Sequence, residues 1–97
     1  MIRLYVIEYH DRGEPILYVG STAKPVRVRF REHTQGKRKC GSCLVHRTFP
    51  RSARGFRLRS DLLPLRASFF SRSTAESHEK KLACRLRRAG HTVSGGH

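Results

Sequence analysis

The strongest constraint on the fold is a pair of short segments rich in β-branched and aromatic residues, 3–9 and 16–20, separated by six turn-forming residues. Such segments favour a pleated, half-buried backbone, and their spacing closes them into an antiparallel hairpin. With Tyr9 opposite Ile16, Ile7 opposes Tyr18 and Tyr5 opposes Gly20, so that Tyr5 and Tyr18 lie on one face of the sheet. A slip of one residue would send them to opposite faces.

After Gly20 the sequence changes period. Ser21, Thr22 and Pro25 are start signals, residues 25–35 read as a helix, and Gly36 stops it. At about 100° per residue Val26, Phe30 and His33 fall in one arc with Arg29 at its border, while Arg27 and Arg31 point away. Residues 37–60, rich in Lys and Arg and broken by Gly41, Pro50 and Gly55, give no element beyond a short helix around 42–49. A third strand is expected at 65–70. Ser73 and Glu76 form a capping-box pattern that opens a second helix running to about Arg88, with Gly90 beyond it. On that helix Glu79, Leu82 and Leu86 share a face, which sets an acid on the buried stripe. The expectation is one α/β (α+β) domain over residues 1–93, a small, mainly antiparallel three-stranded sheet flanked by helices, followed by a short flexible tail at 94–97.

Charge narrows the partner. The 97 residues hold 21 Lys and Arg against 7 Asp and Glu, a formal net charge of +14. The excess is concentrated: residues 21–60 carry twelve bases and one acid, whereas residues 1–20 carry two bases and three acids. A polyanion is the natural ligand, because each phosphate neutralised by Lys or Arg releases condensed counterions. Lys24, Arg27, Arg31, Lys37, Arg38 and Lys39 are the candidate phosphate contacts. The chain has no apolar run long enough for a membrane span and no secretion-signal pattern near Met1, so a cytoplasmic location without membrane attachment is expected. Three cysteines without a signal argue against a disulfide framework. Cys40 and Cys43 have zinc-ligand spacing and are kept as candidates for a structural zinc, but no second pair completes four ligands, and two free thiols are the preferred reading.

Two tyrosines on a sheet face, an Arg and a His on the helix against it and a Glu on a second inward stripe make an inventory suited to phosphodiester hydrolysis. That chemistry needs an activated water, cationic stabilisation of the phosphoryl oxygens and a metal ion beside the leaving oxygen. In the order Tyr5, then Tyr18, Val19 and Gly20, then Arg29 and His33, then Glu79, the chain resembles the GIY-YIG nuclease family over nearly its whole length. The second triplet is close, and Arg29 with His33 has the spacing of the family's helix. Of the first triplet only Tyr5 is kept, there is one extra residue between Gly20 and Arg29, and where some members have a Lys after the second triplet this chain has Ser21 and Thr22, with Lys24 the nearest substitute. His91 is the nearest counterpart of a late Asn.

The resemblance implies a metal-dependent endonuclease with Tyr5, Tyr18, Arg29, His33 and Glu79 as catalytic residues and DNA rather than RNA as the more natural substrate. Glu79 would ligate one Mg²⁺ or Mn²⁺. Tyr18 or Tyr5 would help deprotonate the attacking water, its pKa lowered by the cation and Arg29. Arg29 would hold the scissile phosphate, His33 would hydrogen-bond within the network, and the products would carry a 5′-phosphate and a 3′-hydroxyl. Taken singly each residue has a plainer reading: strand tyrosines mostly pack, Arg29 is one base among many, His33 is as readily a satisfied helix residue, and Glu76 is explained by capping, which leaves Glu79 as the preferred acid. The alternative is a noncatalytic basic nucleic-acid-binding protein. It accounts for the charge but not for an acid on a buried stripe.

Overall fold

The computed structural model describes residues 1–35, residue 49 and residues 52–95, the side chains of 33–35 excepted. The expectations placed on Lys37, Arg38, Lys39, Cys40 and Cys43, and on a helix around 42–49, lie outside the described residues apart from Phe49.

Strands β1 (Ile2–Asp11) and β2 (Glu14–Thr22) pair antiparallel with Tyr9 opposite Ile16, Ile7 opposite Tyr18 and Tyr5 opposite Gly20, the register expected from the sequence. The turn is tighter than the six residues suggested. Arg12 at φ 55° and Gly13 at φ 84° form a two-residue connection whose left-handed backbone matches the twist of the strands.

The sheet has five strands where three were expected. β3 (Ala53–Leu58) pairs antiparallel with β1, and β5 (Val93–Gly95) lies parallel to β2, giving the order β3-β1-β2-β5. Only Ser68–Phe69 of the strand expected at 65–70 is paired; it forms β4, opposite Ile2 and Arg3. Leu65 is fully exposed and outside the ladder. Ser94 and Gly95, assigned to a flexible tail from the sequence, stand opposite Tyr18 and Val19 in β5, and the Ser94 hydroxyl lies 3.4 Å from Tyr9 Oη.

Both faces of the sheet are covered, which explains why Leu4, Tyr5, Val6 and Ile7 are all buried. On one face Leu4, Val6, Leu17 and Val19 pack with Phe69 against α2 (Arg72–Arg88), through its Ala75, Leu82, Ala83 and Leu86. Burial of a leucine there contributes roughly 1.5–3 kcal/mol. On the other face Tyr5, Ile7 and Tyr9 meet Phe49, Phe56 and the inward side of α1 (Val26–Gln35), which presents Val26 and Phe30 while Arg27 and Arg31 are exposed.

The second helix begins earlier than its capping pattern suggested. Ser71, not Ser73, is the N-cap, its hydroxyl accepting the Thr74 amide at 3.1 Å. Glu76 is therefore an exposed residue inside the helix, free of the capping role assigned to it. At the other end Gly90 takes φ 101°, and the amides of Gly90 and His91 donate to the carbonyls of Arg87 and Leu86, a reversal that needs a residue without a Cβ.

Candidate active site

The hairpin register sets the first part of the site. Tyr5 and Tyr18 extend from neighbouring strands on the α1 face, with ring centroids 6.1 Å apart and planes inclined by 37°. Opposite Tyr5 stands Gly20, where a Cβ would come within 2.6 Å of Tyr5 Oη and 2.7 Å of its Cζ. Glycine is required here because the phenol occupies the space of a side chain.

Pro25 fixes the second part. Its carbonyl accepts the amides of Val28 and Arg29, starting α1 so that Arg29 turns towards the tyrosines. The Arg29 guanidinium donates a hydrogen bond to the Tyr5 phenol, which is also hydrogen-bonded to Tyr18. Arg29 Nη1 further donates to Glu32 at 3.2 Å, and Lys24 Nζ binds the other oxygen of the same carboxylate at 2.6 Å. Lys24 is thereby engaged on the surface beside α1.

Without a cation, both phenols lie above their ordinary pKa, so the lowering expected of them would have to come from a bound ion. Tyr5 is held well above the usual phenol value, first by burial and next by the charge Tyr18 would carry; the hydrogen bond and charge of Arg29 act in the opposite direction without prevailing. Tyr18 is also pushed up, chiefly by burial, with the Glu79 carboxylate adding to the effect. In the protein alone both hydroxyls are neutral at physiological pH and serve as hydrogen-bonding groups.

The third part comes from α2 on the other face of the sheet. Glu79 lies on the buried stripe, 7% exposed, and reaches the end of β2, where the Ser21 hydroxyl donates to its Oε2 at 2.5 Å. Among the described residues it has no ion-pair partner. β5 pairs with β2 only as far as Val19, and beyond it a cavity of about 540 Å³ brings the two faces together. Tyr5, Tyr18, Gly20, Ser21, Arg29 and Glu79 line it.

The cavity also includes side chains that the sequence pattern left outside the site, Ser73 and Glu76 as a helix cap and the others unassigned. Arg72, Ser73, Glu76, Ser77 and Lys80 form its wall on the α2 side. Spacings of three and four residues from 73 to 80 carry the signal for a common helical face, but placing the cap at Ser73 concealed it. Among the described lysines Lys80, rather than Lys24, lines the cavity. Arg27 and Arg31 are exposed outside it, and His33 is on α1 with its side chain outside the described residues.

The donor set fits a hard divalent cation held by few protein ligands. A buried carboxylate with one neutral hydrogen-bond donor, at the wall of a polar cavity, supplies oxygen ligation and leaves the other positions to water or phosphate. Among the described residues no three His, Cys, Asp or Glu side chains converge, so no cage made wholly of protein ligands surrounds such an ion. Beside Glu79, the cations of Arg29, Arg72 and Lys80 suit a phosphodiester.

A family model described as the GIY-YIG catalytic domain matches residues 1–88. No curated protein and no solved structure shows a significant match to the chain.

Proposed function

The chain belongs to the GIY-YIG catalytic-domain family, and on that premise we propose that it is a metal-dependent endonuclease hydrolysing phosphodiester bonds in DNA. The observation that carries this reading is the shared cavity: two tyrosines, Arg29 and a buried carboxylate, contributed by β1, β2, α1 and α2, line one space large enough for a phosphodiester. Cutting that is structure-dependent or weakly sequence-selective belongs to the same proposal. No helix among the described residues is long and apolar enough to cross a membrane, and a cytoplasmic site of action belongs to the same proposal.

The reaction forms a bond from a water oxygen to phosphorus and breaks the bond to the leaving oxygen, with negative charge growing on the phosphoryl oxygens. Arg29 meets that charge from a position fixed by Tyr5 and Glu32, so little reorganisation is needed as it develops; loss of such a donor costs on the order of 10²–10³ in rate. Tyr5 orients the attacking water as a neutral hydroxyl. A charge on Tyr18 would raise the cost of ionising Tyr5, whereas the Tyr5 hydrogen bond lowers the Tyr18 pKa, so Tyr18 is the phenol that would ionise beside a bound cation and take the proton of the attacking water. Glu79 holds Mg²⁺ or Mn²⁺, which when bound lowers the pKa of water and offsets charge on the leaving oxygen. Arg72 and Lys80 bind the flanking phosphates.

The test is nicking of supercoiled plasmid with Mg²⁺, Mn²⁺ or EDTA, using the wild type, Glu79→Gln and Glu76→Gln. Metal-dependent cutting is expected, falling at least 10²-fold in Glu79→Gln while DNA binding persists. Tight binding without cutting under every metal condition, on plasmid, branched DNA and RNA alike, would replace the nuclease with a noncatalytic nucleic-acid-binding protein.

A further inference from the structure

Two adjacent phenylalanines behave oppositely. Phe69, in β4 opposite Ile2, is 1% exposed and belongs to the core. Strand alternation turns the next side chain the other way, and Phe70 is 87% exposed. A ring left almost wholly in water forgoes the burial that aromatic residues ordinarily gain, and what stands beside it decides whether it is a contact site. Its backbone is pinned on both sides, by the pairing of β4 with β1 before it and by the Ser71 cap of α2 after it.

The surroundings indicate what the ring meets. Arg66 lies over the neighbouring Phe69 ring at 5.5 Å, and Arg72, two residues beyond Phe70, lines the cavity. Two peptide units span at most about 7 Å, which keeps the Phe70 backbone within that distance of the Arg72 backbone. An exposed aromatic two residues from Arg72, on a chain of net charge +14, complements a polyanion that also offers flat apolar faces. A nucleobase outside its stack has that chemistry, whereas an intact duplex hides its base faces.

We propose that Phe70 is a stacking platform for an unpaired base of the nucleic-acid substrate, with the adjoining phosphate against Arg72. The proposal rests on the endonuclease reading and sharpens its substrate class: distorted, branched or locally single-stranded DNA is bound in preference to perfect duplex.

Binding is measured in EDTA, where cutting does not intervene, by fluorescence anisotropy of a labelled duplex containing a mismatched bubble and of the same duplex fully paired. Phe70→Ala is expected to weaken binding of the bubble about tenfold while duplex binding changes less than about twofold. The chain has no tryptophan, so Phe70→Trp restores a stacking ring and also supplies the sole indole; its emission should be quenched by the bubble and spared by the duplex. Wild-type affinity of Phe70→Ala for the bubble, or an indole unaffected while anisotropy reports binding, would overturn the proposal. A changed sedimentation coefficient in Phe70→Ala with unaltered DNA affinity would also overturn it, by assigning the ring to a protein contact. A wild type that binds no nucleic acid would remove both this proposal and the endonuclease. Failure to cut with the stacking intact would remove only the latter.

Discussion

Tyr5 Oη occupies the space into which a side chain on Gly20 would project: a Cβ at that position would lie 2.6 Å from the phenolic oxygen. The two residues are opposed across the hairpin, so the contact is a direct product of the register. Tyr5 is 2% exposed and hydrogen-bonded to Arg29, and the open space beside it is the cavity itself, so a displaced phenol would intrude on the site.

Gly20→Ala is therefore expected to act on fold and site together. Overpacking of this kind costs about 1–3 kcal/mol, and swinging the phenol aside breaks its bond to Arg29. Thermal unfolding should show the lower stability, and plasmid cutting should fall by at least an order of magnitude at temperatures where the variant remains folded. An Ala variant with wild-type stability and activity would show that Tyr5 has no fixed place in the site.

Local pattern made the hairpin, α1 and the stripe of α2 legible, because a period of two or of about 3.6 residues records which side chains are buried. The register followed from the short connection, and with it the common face of Tyr5 and Tyr18. β3 left no such record. Its ladder depends on groups far away in sequence: Glu8 Oε1 accepts from Arg59 Nη1 at 2.5 Å and from Arg57 Nη2 at 3.0 Å, and Phe56 stacks against Tyr9. An Arg-rich stretch with a left-handed Gly55 reads locally as loop. β5 is three residues long and owes its place to the return of the chain after Gly90. Arg72 and Lys80 were missed, and Glu76 was assigned to capping, for a different reason: these side chains are exposed, so no apolar period marks them, and a two-residue error in the cap turned part of their common face into an apparent helix start.

The Glu8 cluster gives a pH dependence with a definite sign. Hydrogen bonds from Arg59, then Arg57, hold the Glu8 carboxyl below its ordinary value of 4.5 against the opposing effect of burial. The folded state thus releases this proton more readily than the unfolded chain, and between the two pKa values the unfolded chain binds more protons. The stabilisation is fully present above the unfolded value and is lost as pH falls through the folded one. Glu8→Gln should lower stability at neutral pH by about 1 kcal/mol and flatten the decline on the acid side below about pH 4.5. Parallel acid limbs in urea unfolding of the two proteins would show that β3 is held to β1 without this pair.

Ser21 ties β2 to α2 through Glu79, and the bond has a consequence for metal affinity. A hydroxyl 2.5 Å from a carboxylate oxygen fixes the rotamer of a side chain that is otherwise without a charged partner among the described residues. Ser21→Ala removes that constraint and leaves one buried oxygen unsatisfied, at a cost of about 1–3 kcal/mol. Loss of such an orienting partner typically weakens metal binding about 10- to 100-fold. Mn²⁺ titrations followed by electron paramagnetic resonance, made without DNA, should show that loss in Ser21→Ala and its recovery in Ser21→Thr, which keeps the hydroxyl. Glu79→Gln should bind weakest of the set. If Ser21→Ala binds Mn²⁺ as the wild type does while Glu79→Gln does not, the carboxylate is oriented by the cation itself, and the serine serves the packing of β2 on α2. If stability falls in Ser21→Ala and Ser21→Thr alike, the shape of the site rather than the hydroxyl sets the position of Glu79.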